Sequence, residues 1–277
     1  MTDEELKAVH SKILVLAQYF DSFCKENDIE YYLMGGTALG AIRHKGFIPW
    51  DDDFDTFMDY KNYTKFKSIV KQKLDTKNYY FQEEDTKEWP LFFSKIKMNG
   101  TTYIEKDVVG RDMHHGLFID VMCLNNTYEN KNLRYLQYLA ARIVNARALG
   151  DKGYITISKK KKLFLTIAKL LIRGPIKRSL LYFVRHLNNK ETKYIGHFFG
   201  RAPFKRTSFK RSLIGKGKHV KFESLSLPVF TNVEEYLRIR YGEKFMELPS
   251  QAVKDLYPSH AYIVDLDNSY KKYMPKK

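Results

Sequence analysis

The chain has 277 residues and a formal net charge of +16, from 48 Lys and Arg against 32 Asp and Glu. Hydrophobic residues make up 44% and aromatics 15%, which excludes a disordered tail and allows a sizeable core in one large domain or two modest ones. Two cysteines, Cys24 and Cys123, exclude a disulfide framework and a cysteine-based zinc site, so a soluble fold in a reducing compartment is expected.

Thr2 followed three residues later by Glu5 reads as a capping box, and the acids there are unlike a secretory signal. Leu6, Val9, Ile13, Leu16 and Phe20 recur at helical spacing, which predicts an amphipathic helix to about Asn27. Residues 29–34 are β-prone and end on Gly35 and Gly36, and Thr37 is placed to cap a helix over 38–44 that Gly46 stops. Residues 51–58 read as a strand and Tyr60–Lys73 as a helix. Residues 92–98, the turn at Asn99 and Gly100, and residues 101–105 read as a hairpin. Residues 116–122 read as a buried strand carrying one acid, and 132–149 as a helix. The chain is then expected to be mostly helical to about Asn188, with a break at Gly174 and Pro175, and irregular to Lys221. A helix at Val233–Tyr241 and a proline-punctuated end complete it. The apolar stretch 163–172, interrupted by Lys169, is too short to span a bilayer.

The charge is not evenly spread. Residues 1–155 carry a net charge of −2 and residues 222–277 none, whereas 156–221 hold 19 Lys and Arg and one acid, Glu191. This divides the chain into a core (1–155), a basic and mostly helical segment (156–221), and a C-terminal part (222–277) expected to pack back on the core. A solvated helical face does not need so one-sided a charge. Nucleic acid would take it, but no RNA-recognition motif is visible, so nucleic acid is disfavoured as a partner. Basic and apolar residues are mixed from Lys159 onward as in an interfacial helix, which favours an anionic membrane surface.

The acids carry the chemistry. In an extended chain Asp51, Asp53 and Asp55 share one face, while Asp52 and Phe54 take the other. Three like charges on a short face repel unless a cation sits among them, and carboxylate oxygens suit Mg²⁺, with Mn²⁺ as the alternative. Asp120 lies in an apolar run, and a buried charge is paired or binds metal. If its strand neighbours that of Asp53, the three carboxylates Asp53, Asp55 and Asp120 form a cluster suited to phosphoryl or nucleotidyl transfer. A solvated acidic turn or a calcium loop is the rival reading, but Trp, Phe and Met flank these acids where a calcium loop has Gly and Asn. Gly35, Gly36 and Thr37 join a strand to a helix, where backbone can approach a phosphate at a helix N-terminus. Arg43, His44 and Lys45 end that helix, as candidate phosphate contacts or as ordinary C-terminal cations.

The run GGTALGAIRHKGFIPWDDDFD, residues 35–55, closely resembles the signature of the LicD family of phosphotransferases, which includes the fukutin and fukutin-related proteins. GLFIDVMCLNN (116–126) resembles that family's second acidic strand, which Pro-Leu-Asp usually follows. Cys123, Leu124 and Asn125 stand there instead, which is expected to alter a loop and not the metal site. RYGEKFMELP (240–249) resembles the closing motif. The resemblance covers 1–125 and 236–260 well and 126–235 poorly.

It implies an α+β, nucleotidyltransferase-like fold, a mixed sheet flanked by helices, with the basic helical segment added. It implies metal-dependent transfer of a phospho-alcohol (phosphocholine first, then glycerol or ribitol phosphate) from a CDP-activated donor to a sugar hydroxyl. The acceptor would be a lipid-linked precursor of a teichoic acid, capsule or lipopolysaccharide, met at the cytoplasmic, inner face of the plasma membrane. The superfamily pattern maps onto Gly35 and Gly36, onto Asp53 and Asp55, and onto Asp120, leaving Asp51 as a candidate base or extra ligand. Lys95 and Lys97 share one strand face and are candidate phosphate clamps, with a solvated face as the alternative. Trp50, Tyr31, Tyr32 and Trp89 are candidates for caging a trimethylammonium group, against a core role for each. His114 and His115 read as a turn, and His260 as a weak candidate. The rival functions are a nucleotidyltransferase acting on RNA or a small molecule, and a non-catalytic scaffold at a membrane surface.

Overall fold

A computed structural model describes residues 1–153, 158–255 and 259–274. The boundary expected near residue 155, and Pro258 and Pro275 of the tail, lie outside the described residues. Helix α1 (Asp3–Glu26) opens on the expected capping box, with the Glu5 N–H donating to Thr2 Oγ1 at 3.1 Å and the Thr2 N–H to Glu5 Oε2 at 2.7 Å. Its apolar stripe, from Leu6 to Phe20, is buried. Then come β1 (Tyr32–Leu33), α2 (Gly35–Arg43), β2 (Asp55–Asp59), α3 (Tyr60–Lys73), β3 (Tyr79–Gln82), β4 (Ser94–Met98), β5 (Thr102–Glu105) and β6 (Phe118–Thr127). Three helices follow, α4 (Lys131–Lys152), α5 (Lys159–Leu171) and α6 (Gly174–Arg185). Strands β7 (Tyr194–Gly196), β8 (Ser208–Lys210), β9 (Lys218–Phe222) and β10 (Leu225–Val229) lead to α7 (Val233–Tyr241), α8 (Gln251–Lys254) and β11 (Ala261–Asp265).

The main sheet runs β1-β2-β6-β4-β3, with β2 and β6 parallel and the other pairs antiparallel. The far half of β6 pairs with β7, which pairs with β8. Helices flank the sheet, in agreement with the expected α+β class. One core joins α1, α3 and α7 to the sheet through Phe20, Phe66, Ile119, Val121 and Leu237. A second, around Trp89, Phe92, Val144, Val184 and Phe198, joins α4 and α6 to the chain before β4.

Five expectations need correction. Thr37 does not cap α2: the helix starts at Gly35, Met34 is its N-cap, and the Thr37 hydroxyl is taken by the Asp55 N–H (2.8 Å). Ladder pairing of the acidic strand begins only at Asp55, so 51–54 is extended chain without strand partners. Residues 101–105 make no hairpin with 92–98. Both edges of β4 are already occupied, by β3 and β6, so β5 leaves the sheet and pairs with β11 from the far end of the chain. The replacement of Pro-Leu-Asp alters no loop, because β6 continues through Cys123–Asn125 and pairs with β7. Residues 189–221 are not irregular: Ile195 and Phe209 of β7 and β8, with Phe222 of β9, enter the main core.

Candidate active site

Sheet register builds the site. Asp55 of β2 is the partner of Asp120 on β6, and Asp120 is the partner of Lys95 on β4. Two acids and a lysine therefore stand in a row across three adjacent strands, at the spacing where cross-strand side chains interact. Backbone bonds fix the row. The Met34 N–H donates to Asp55 O (3.0 Å), the Asp120 N–H to Phe54 O (2.9 Å), and Thr56 Oγ1 to Asp120 O (2.9 Å). Ahead of it, burial alternates as the extended chain requires: Asp51, Asp53 and Asp55 are part-buried, and Asp52, Phe54 and Thr56 are buried between them.

The N-terminus of α2 closes against these acids. Gly35 has φ +52°, a conformation that favours glycine, and its N–H donates to Tyr236 Oη at 3.0 Å. A Cβ on Gly36 would stand 2.5 Å from Asp51 Oδ2. The glycine pair is thus required by the approach of the helix to the carboxylates. The Tyr241 hydroxyl borders the same place, 3.7 Å from where a Gly35 Cβ would be.

Electrostatics confirm that acids are in excess here. Burial pushes Asp55 well above the usual carboxylate range, and Asp53, Asp120 and Asp51 push it further. Asp51 is raised by burial, then by Asp53 and Asp52. Burial also raises Asp53, and it raises Asp120 to about 6 although Lys95 opposes it. Lys95 is fully buried, with Nζ 3.1 Å from Asp120 Oδ1 and 3.3 Å from Glu105 Oε2, over the Phe118 ring. Burial would lower its pKa, but Asp120 and Glu105 outweigh that and raise it. Burial alone would raise Glu105, yet Lys95, Lys152 and Lys97 hold it down to about 2.

Among the described residues no three His, Cys, Asp or Glu side chains converge into a finished metal cage. The cluster is nonetheless all oxygen and crowded with like charge, which Lys95 offsets only from the side of Asp120. That fits Mg²⁺, which is commonly held by one or two carboxylates completed by substrate phosphates and water rather than by a protein cage.

A second layer lies behind the acids and includes His260, a weak candidate by sequence. The buried Asp52 faces away from the cluster and accepts from Ser259 Oγ, from the His260 N–H (2.9 Å) and from His260 Nδ1 (2.9 Å). The Asp52 hydrogen bond raises His260 to about 9 against its burial. Burial would raise Asp52, but the bonds from His260 and Ser259 hold it at about 2. His10 of α1, stacked on Phe47 at 4.2 Å, donates from Nε2 to Asp51 O at 2.7 Å. The alternation of 51–55 sets Asp52 apart from its neighbours. Nothing in the spacing of the chain announces Glu105, His260 or His10 as its neighbours.

Other expected residues lie further out. Lys97 is buried and donates to His114 O at 2.7 Å, its pKa lowered to about 7 by burial and by Lys95. Arg43 ties the end of α2 to the carbonyls of Phe245 and Glu247, linking the first motif to the closing one. His44 packs edge-on to Trp50, and Lys45 Nζ donates to Ile42 O. The four aromatics do not form one cage. Tyr31 donates to Asp21, Tyr32 packs on Phe230, and Trp89 is core. Two of them meet a cation: Lys254 Nζ lies 4.3 Å from the Trp50 ring centre, and Lys95 Nζ 5.0 Å from that of the buried Trp89.

Residues 28–131 match the family described as LicD/FKTN/FKRP, nucleotidyltransferase domain, a span that holds the glycine pair, Asp51, Asp53, Asp55, Lys95, Glu105 and Asp120. A lipopolysaccharide cholinephosphotransferase, LicD, of Haemophilus influenzae is 29% identical over 273 residues, 91% of this chain and 95% of that protein. Shorter likenesses join the chain to two uncharacterised proteins. One, of Rickettsia typhi, is 43% identical over 47 residues, 17% of this chain and 15% of that protein. The other, of Rickettsia prowazekii, is 33% identical over 78 residues, 26% of this chain and 29% of that protein. Over residues 28–131, then, this chain is similar to the nucleotidyltransferase domain of the LicD family.

Proposed function

We propose that the chain is a LicD-type phosphotransferase that moves a phospho-alcohol from a CDP-activated donor to a sugar hydroxyl of a cell-surface glycan precursor. The observation that carries this reading is the Asp55–Asp120–Lys95 row set against the glycine N-terminus of α2. Asp53, Asp55 and Asp120 would hold Mg²⁺, or Mn²⁺ in its place. When bound, that ion neutralises phosphate charge and stabilises the leaving group. Backbone of Gly36 and Thr37 binds donor phosphate at the helix N-terminus, beside Gly35, whose own N–H is taken by Tyr236. Asp51, raised by burial and by neighbouring acids, takes the proton of the acceptor hydroxyl as its oxygen attacks phosphorus and the bond to CMP breaks. Lys95 holds Asp120 in place from behind.

Phosphocholine is the preferred group, since the Haemophilus relative is named a cholinephosphotransferase and Trp50 offers a ring face of the kind that binds a trimethylammonium group. The acceptor, by the same relative, is a lipopolysaccharide-type glycan. We place the enzyme at the inner face of the plasma membrane on the strength of its basic segment. No helix among the described residues is long and apolar enough to cross a membrane. A thermal-shift panel with Mg²⁺ and CDP-choline, CDP-glycerol, CDP-ribitol or nucleoside triphosphates tests the donor. A Mg²⁺-dependent rise with CDP-choline supports the reading. A rise with triphosphates alone, and release of pyrophosphate instead of CMP, replaces it with nucleotidyl transfer.

A further inference from the structure

Helix α4 carries an apolar stripe at Leu136, Leu139, Ile143, Ala146 and Gly150, spaced three and four residues apart along one face. Helix α5 covers only the far end of it. Leu165 and Ala168 pack on Ala146, and Gly150 lets the α5 backbone come close, its missing Cβ 3.1 Å from Leu165 O. The near end of the stripe has no cover, with Leu136 half exposed. On α5 itself Leu163, Phe164, Ile167, Leu170 and Leu171 fall within about 120° of the helix circumference, next to the buried sector and outside it. Leu163 and Leu171 are each 62% exposed. A water-facing helix does not place its leucines there; α5 is held to α4 on its other side, by Ala146, Leu149, Leu165, Ala168 and Ile172 and by the bond from Arg147 to Lys169 O.

The rim of this surface is basic. Lys159 to Lys162 open α5, and Lys169, Arg173 and Arg178 follow, in a segment of 66 residues whose single acid is Glu191. The four lysines open the helix that follows α4, and the end of α4 lies near Lys95. Lys152, at the end of α4, has Nζ 5.2 Å from the Trp89 ring, which Lys95 approaches at 5.0 Å from the acid cluster. Lys159 is seven positions on, so it lies within roughly 25 Å of Lys152.

We infer that the outer face of α5 and the uncovered start of the α4 stripe form one docking surface for an anionic lipid bilayer, with α5 lying in the headgroup plane. Apolar side chains enter the interface while the lysines meet lipid phosphates. Charge decides among occupants. A second copy would set this basic rim against another equally basic one, and a nucleic acid would leave the leucines in water. The inference deepens the proposed function and rests on it in one respect, that the acceptor is presented at a membrane.

The test uses the full chain and sedimentation with vesicles of phosphatidylcholine, alone or mixed with phosphatidylglycerol. Binding to the mixed vesicles only, weakened by salt, is expected. Replacing Lys159, Lys160 and Lys162 with Ala lowers the affinity on the order of 100-fold. Phe164→Asp with Leu171→Asp removes the binding that survives high salt. These residues are exposed, and an unchanged melting temperature confirms that the variants fold. Equal binding to both vesicles, binding to neither, or variants that bind like wild type overturn the inference. So does a dimer by light scattering that Phe164→Asp dissolves. CMP release from CDP-choline with a soluble sugar acceptor, measured on the wild type, separates the two claims. Transfer without vesicle binding refutes this surface and leaves the enzyme reading standing, and vesicle binding without transfer does the reverse.

Discussion

Gly36→Ala separates packing from chemistry at the α2 N-terminus. The added methyl would stand 2.5 Å from Asp51 Oδ2, where ordinary contact begins at 3.4 Å, so the carboxylate must retreat by about 1 Å. The obstacle is the end of a side chain, and Gly36 has no positive φ, so the fold accommodates the change. Alanine in a helix is also favoured over glycine by about 0.5–1 kcal/mol. The melting temperature is therefore expected to hold or rise by a few degrees. A displacement of 1 Å at a reacting group lowers turnover by roughly 100-fold, and that loss is expected in Mg²⁺-dependent CMP release from CDP-choline. Gly40→Ala is the control with the opposite balance. Its Cβ would meet the Gly46 carbonyl at 2.4 Å, backbone that cannot step aside, so it lowers stability first. Full turnover in Gly36→Ala would refute the placement of Asp51 at the reacting centre.

Other consequences follow from the same charges. Asp55→Asn removes one of the crowded acids, so the metal-free protein should melt higher while transfer is lost; a lower melting temperature would contradict the crowding. Lys95→Met leaves Asp120 and Glu105 buried without their cation, and a loss of about 3–5 kcal/mol is expected in urea unfolding, against under 1 kcal/mol if the pair were idle. His260, raised to about 9 from an ordinary 6.5, contributes stability that is complete below pH 6.5 and lost as pH rises through 9. Its side chain is 46% exposed, so solvent screening reduces the effect to about 1 kcal/mol. Melting curves of His260→Gln should be flatter over that window, and an unchanged slope would show that the Asp52 bond is not what holds the imidazolium.

Much of the site was legible because its signals are local. The D-D-D-x-D alternation needs only an extended chain, and burial follows it residue by residue from Asp51 to Thr56. Asp120 stood out as an acid in an apolar run, and parallel pairing of β2 with β6 puts it beside Asp55. What sequence could not supply was pairing over long separations. Glu105 and His260 approach the cluster because β5 pairs with β11, across 156 residues, in place of the hairpin that Asn99 and Gly100 suggest. Thr37 was misread for a related reason: a hydroxyl near a helix start is a cap by default, and here the Asp55 N–H claims it. Lys95 and Lys97 share a face as expected, but only the register of β4 against β6 tells which one meets an acid.

Asp53, Asp55 and Asp120 are proposed to hold the divalent cation for transfer from a CDP-activated donor. The most direct test is CMP release from CDP-choline by wild type and Asp53→Asn, each with Mg²⁺ and with chelator. Release by wild type that chelation stops, and none from a folded Asp53→Asn, is expected. Release by Asp53→Asn at the wild-type rate, or by wild type in chelator, would contradict it.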